Sequence, residues 1–220
     1  MQLHSSHAGE SPPTFASWRG KRLDATLLVT GASALALMIA LSIGPSVDMG
    51  KRLTQNTVRL ALGWYGLTVT GLIQKHQFEL PAQEMINRIL RWCWSWGALC
   101  QLVHVGFAFH YYHHWSHHDA FERTRQLSGI GEGLYVSYLF TALWLFDAIA
   151  WWMYPRSYAH RPMWLSVGLH GFMAFIIFNA TVVFAAGGVR VAGVAGLVAI
   201  LILWLFEFWR NRRRASNLMV

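Results

Sequence analysis

"VRVAGVAGLVAILILWLFEFW", residues 189–209, holds two charged side chains in twenty-one positions, and "RNRRR" (210–214) follows at once. About twenty apolar residues make a helix long enough to cross a hydrocarbon layer of ~30 Å, and arginines massed at one end keep that end on the cytoplasmic side. The stretch therefore reads as a membrane span with its exit marked. "ATLLVTGASALALMIALSIG" (25–44) repeats the pattern behind Arg19, Lys21 and Arg22, and Pro45 closes it. No small-x-small cleavage site follows, so it reads as a retained helix and not a leader. Ala32, Ala36 and Ala40 give it a small-residue stripe suited to close helix packing.

Further apolar runs occupy 92–112, 133–154 (ended by Pro155) and 163–185, and "AAGG" (185–188) supplies a tight turn before the last. "TVRLALGWYGLTVTGLIQ" (57–74) carries Arg59 and three glycines. Counting it gives six spans; leaving it out gives five. The expected fold is all-α: a polytopic integral membrane helix bundle over 25–210 with six transmembrane helices, or five. A disordered cytoplasmic tail is expected at 1–24, where no apolar face exists, and a basic cytoplasmic tail at 211–220. "PAQEMINRILRW" (81–92) opens on a proline suited to a first helical turn and leads into the 92–112 run.

Composition agrees. The 220 residues are 55% hydrophobic and only 13% charged, against about 25% charged in a soluble domain. The net charge of +8 does not indicate nucleic acid, because the cations sit at the ends of apolar runs and no nucleic-acid-binding motif accompanies them. Cys93 and Cys100 lie in one apolar helix, roughly 10 Å apart along its axis, too far to pair with each other.

Six spans with a cytoplasmic N-terminus put Arg19, Lys21, Arg22, Lys75, Arg88, Arg91, Arg156, Arg161, Arg210, Arg212, Arg213 and Arg214 inside. Lys51, Arg52, Arg59, Arg123, Arg125 and Arg190 fall outside, twelve cations against six. The five-span alternative scores the same. Both place the C-terminus in the cytoplasm, in a plasma (inner) membrane.

The outer side then receives "HYYHHWSHH" (110–118), five histidines in nine positions. On a continuous helix His110, His114 and His118 share a face, and His113 and His117 widen the arc to about 140°. Pairs spaced i,i+4 present two imidazoles to one ion, which suits zinc, copper or iron. The expected site is this cluster, binding a transition metal or titrating protons within a redox or transport assembly. Asp119, Glu122 and Glu132 are the nearby carboxylates. Ser116 and Asp119 can also be read as a capping box that starts a new helix. The competing readings are a non-catalytic accessory subunit docking a partner among other membrane subunits, and a membrane oxidoreductase or oxygenase. No HExxH zinc-protease motif or phosphate-binding loop is present.

Ionisable groups inside spans are costly and need partners. Asp147 and His170 both lie roughly 10 Å from the inner boundary on consecutive spans and are expected to pair. His104, Asn179 and Glu207 complete a possible ladder of polar groups. A bis-histidine haem on His104 and His170 is disfavoured by their depth difference of about 8 Å.

Overall fold

The computed structural model describes residues 15–44 and 48–217. The described chain is all-α. Helices α1 (Phe15–Ser42), α2 (Met49–Gln74), α3 (Leu80–Tyr112), α4 (His117–Ser128), α5 (Gly133–Met153), α6 (Pro155–Ala159), α7 (Met163–Phe178) and α8 (Gly187–Asn217) follow in order. A 3-10 turn (Lys75–Gln77) joins α2 to α3, and a π turn (Asn179–Val183) extends α7. Residues 1–14 of the expected N-terminal tail and 218–220 of the C-terminal tail lie outside the described residues. Helix α1 already runs through 15–24, and α8 runs past the arginines to Asn217.

Local chemistry sets several boundaries. Pro81 sits in the first turn of α3, where a missing N–H costs no hydrogen bond. Ser116 caps α4 by accepting from the Asp119 N–H at 3.1 Å. Gly129 ends α4 at φ 81°, a left-handed residue whose N–H returns to the Arg125 carbonyl. Pro155 ends α5, and Pro162 separates α6 from α7.

Among the described residues four helices are long and apolar enough to cross a membrane, not six or five: Gly20–Ser42, Gly133–Met153, Met163–Val183 and Gly187–Arg213. The expected spans at 57–74 and 92–112 do not qualify, and the reason is compositional. Helix α2 carries Lys51, Arg52, Gln55, Asn56 and Arg59 in its first half. In α3, Arg88 and Arg91 precede a stretch rich in tryptophan and interrupted by Gln101 and His104. Both are nevertheless the most enclosed helices. They form an antiparallel hairpin in which Gly50 faces Tyr111 at one end and Gly71 faces Leu90 at the other. Helix α1 packs on both, α5 packs on α3, and α8 packs on α2. The two more polar helices therefore sit at the centre, and the more apolar ones surround them.

Their polar groups are satisfied inside that hairpin. Thr54, Thr57 and Thr68 are buried on α2, and each hydroxyl donates to a carbonyl one turn back. His104 Nδ1 lies 2.8 Å from the Thr54 carbonyl. Since a carbonyl only accepts, Nδ1 carries the proton and the neutral ring is left with Nε2 as an acceptor.

The core is aromatic. Trp94 and Trp144 are 1% exposed. Tyr65, Trp94 and Trp144 meet with ring centroids 5.2–5.8 Å apart, and Phe140 closes on Trp144 at 5.6 Å. Trp144 Nε1 donates to the Trp94 carbonyl at 3.2 Å, so α5 is bonded to the backbone of α3. Gly97 makes that approach possible, because a Cβ there would lie 2.5 Å from the Trp144 ring. The outer surface is the reverse of a soluble one. In α8 no residue of the most apolar stretch is buried, and Leu37, Phe146, Phe175, Leu201, Trp204 and Phe206 are all exposed. Several long apolar helices with uncovered faces are the arrangement that suits a membrane.

Candidate functional site

The expected metal cluster does not form. Helix α3 stops at Tyr112 and α4 begins at His117, so the five histidines do not share one helix. His114 and Trp115 adopt φ of 46° and 61°, left-handed values unusual for such side chains. The Trp115 N–H returns to the Phe109 carbonyl at 3.1 Å, which folds the chain back on the end of α3. The i,i+4 pairing of His110 with His114 and His113 with His117 required a helix that ends before reaching it. His110 lies edge-on to Tyr111, His117 Nδ1 lies 3.1 Å from the Tyr138 hydroxyl, and His114 and His118 are exposed. Among the described residues no group of three or more His, Cys, Asp or Glu side chains could hold a metal ion. Coordination of zinc, copper or iron by this cluster is overturned, and with it the function built on the cluster. His113 alone turns inward, against Phe109. Burial, and then the charge of Arg123, hold its pKa below the ordinary 6.5.

The polar residues expected inside spans have local partners, His170 excepted. Asp147 accepts from Arg161 Nη1 at 2.5 Å and from the Tyr158 hydroxyl at 2.7 Å. His170 makes no hydrogen bond to Asp147: both ring nitrogens are buried without a partner, and the ring meets Trp94 edge-on at 5.3 Å. Asn179 donates to the Phe175 carbonyl at 2.8 Å. Glu207 accepts from Arg210 at 2.7 Å and from Gln77.

A different site emerges at the end of the bundle where α2 finishes, α3 begins and α5, α6 and α7 turn. A cavity of about 630 Å³ opens there, lined by Lys75, Arg88, Arg91, Arg156 and Arg161, with Glu84 the one carboxylate among the described residues that line it. Three elements supply the cations. Lys75 comes from the 3-10 turn, Arg88 and Arg91 from successive turns of α3, and Arg156 and Arg161 from the α5–α7 connection. Two are already engaged: Arg161 with Asp147, and Arg88 with Asp24 at 3.6 Å. Arg161 is further fixed by Ser166 at 2.7 Å and by the Tyr158 ring, 4.0 Å from its guanidinium carbon. Tyr158 in turn stacks on Trp151 at 4.6 Å, with the planes 6° apart.

Lys75, Arg91 and Arg156 have no carboxylate within ion-pairing distance among the described residues. Arg91 lies 4.0 Å from the Trp152 ring, and its Nε is buried without a partner. Burial, followed by the repulsion of Arg161, lowers the Lys75 pKa. Burial, then Asp147, raises that of Tyr158, so its hydroxyl stays protonated and donating. The cleft thus holds an excess of hydrogen-bond donors and positive charge. Each of these cations was visible in the sequence as an inner-side charge, but nothing in the linear order showed that they face one cavity.

Neither family models, nor curated proteins, nor solved structures match this chain, so its functional reading rests on the chemistry of the cleft.

Proposed function

We propose that this is a membrane-embedded helical protein that binds the phosphate-bearing headgroup of an anionic lipid in the basic cleft. The observation that carries the reading is the cavity itself, where Lys75, Arg91 and Arg156 converge with no carboxylate within ion-pairing distance among the described residues. Basic pockets between helices at the cytoplasmic face of a membrane suit such headgroups. Arginine adds a planar fork that meets two phosphate oxygens at once. Trp152 beside the cleft is exposed and supplies an amphipathic surface of the kind that belongs at headgroup level. In this reading the four apolar helices cross the bilayer of the plasma (inner) membrane. The cleft and the C-terminus, where Arg210, Arg212 and Arg213 end α8, lie in the cytoplasmic leaflet.

The test is binding of phosphatidylglycerol and phosphatidylcholine to purified protein in nonionic detergent. Phosphatidylglycerol is expected to bind at least tenfold more tightly, with an affinity that falls as salt rises. Combined Lys75→Gln, Arg91→Gln and Arg156→Gln substitution should abolish the preference. Equal affinity for the two lipids in the unsubstituted protein, or an unchanged preference in the variant, refutes the proposal.

A further inference from the structure

A second site lies at the opposite end of the bundle, and a lone arginine marks it. Arg59 is on α2, beside the end of the π turn and the start of α8. It lines two adjoining cavities. One, of about 600 Å³, is also faced by Gln55, Gln101 and His104. The other, of about 560 Å³, runs between α2 and α8, past Gly63 and Gly66 on one wall and Ala192, Gly196 and Ile200 on the other. Among the described residues that second channel is apolar apart from Arg59, Thr181 and the Tyr65 hydroxyl, and Thr181 Oγ1 already donates to the Ile177 carbonyl.

Arg59 has one neutral partner, Asn56 Oδ1 at 3.0 Å, and no carboxylate within ion-pairing distance among the described residues. Arg59 is exposed on the polar first half of α2, and at the mouth of an apolar channel its guanidinium can take an anionic counterpart. Here no described side chain provides one, and the channel leading away from it suits a hydrocarbon chain.

We infer that Arg59 and the α2–α8 channel bind a long-chain fatty carboxylate. The guanidinium fork donates two parallel hydrogen bonds to the planar, singly charged head. Gln55 and Gln101 stand beside it as neutral polar neighbours. The acyl chain follows the small-residue walls from the α7–α8 turn towards the middle of the bundle. Glycines at 63, 66 and 196 leave the room: a Cβ at any of them would meet nothing within 4 Å. A single cation selects against a multiply charged headgroup, which separates this site from the cleft at the other end.

The experiment is equilibrium binding of radiolabelled palmitate to the full chain in phosphatidylcholine nanodiscs, with hexadecanol as the uncharged competitor. The unsubstituted protein should bind palmitate saturably and prefer it to hexadecanol by about tenfold or more, the scale of a charge-assisted pair. Arg59→Gln should bring palmitate down to the level of hexadecanol, and Arg59→Lys should restore part of the difference. Gly196→Leu should weaken both ligands by obstructing the channel without a clash at Cβ. Thermal melting of each variant separates loss of the site from loss of the fold. Equal binding of palmitate and hexadecanol by the unsubstituted protein overturns the inference. So does undiminished palmitate binding in folded Arg59→Gln or Gly196→Leu.

Discussion

Replacing Asp147 with asparagine should test the arrangement of the basic end more sharply than any other single change. The carboxylate lies 2.5 Å from Arg161, and the two side chains are 12% and 13% exposed. Removing one member of such a pair costs about 3–5 kcal/mol, because the remaining charge stays out of water without its counterpart. Arg161 keeps Ser166 and the face of Tyr158, and an asparagine oxygen still accepts from the Tyr158 hydroxyl. The loss therefore belongs at the lower end, about 3 kcal/mol. Adding Arg161→Gln should recover part of it by eliminating the orphaned charge, a coupling on the order of 1–2 kcal/mol in the double-mutant cycle. Chemical unfolding in detergent, followed by tryptophan fluorescence, measures both quantities. Asp147→Asn should also tighten phosphatidylglycerol binding, since Arg161 is released towards the cleft. Strictly additive losses in the cycle would show that the pair does not hold α5 to the α6–α7 connection and would refute the reasoning.

Gly97→Ala should destabilise the core by about 1–3 kcal/mol, because its Cβ would lie 2.5 Å from Trp144 on the facing helix; unfolding midpoints measure it. Ser116→Ala should cost about 1 kcal/mol by removing the cap of α4, with faster amide exchange confined to 117–120. Because the folded His113 has its pKa below 6.5, it contributes stability that is present above 6.5 and is lost as pH falls through the folded value. Trp115 emission should therefore change on acidification in the native protein and stay constant in His113→Phe, which keeps the ring against Phe109 but cannot titrate.

Sequence patterning located the four outer helices well, since their apolar runs have few polar residues to hide and their ends are marked by Pro155, Pro162 or arginines. It failed at the centre for an instructive reason. Aromatic residues such as Trp92, Trp94 and Trp96 count as apolar by eye, yet each indole has a donor to satisfy, and Trp92 and Trp96 satisfy theirs on Asp24 and the Leu27 carbonyl of α1. Such residues belong between helices. The 57–74 and 92–112 stretches were therefore legible as helices but misread as further spans.

The histidine segment failed differently. Periodicity reports shared faces only where a helix continues, and no glycine or proline announced the left-handed turn at His114 and Trp115. Ser116 and Asp119 were the one local signal of the break, and they do cap a new helix. The basic cleft had no linear signature at all. Residues 75, 88, 91, 156 and 161 come together only through the antiparallel packing of α2, α3, α5 and α7.

The aromatic knot at the centre also gives this protein an optical signature of its own. Trp94 and Trp144 are held with ring centroids 5.2 Å apart and planes inclined at 42°, with Tyr65 and Phe140 against them. Indoles fixed that closely in an asymmetric geometry couple their electronic transitions and give strong near-ultraviolet dichroism. The other close indole pair, Trp92 and Trp152 at 5.0 Å, spans the same two helices. The dichroic signal therefore reads the α3–α5 contact directly. It vanishes when side-chain packing is lost even where the helices themselves persist, so a preparation in any detergent carries an intrinsic gauge of whether its core is assembled.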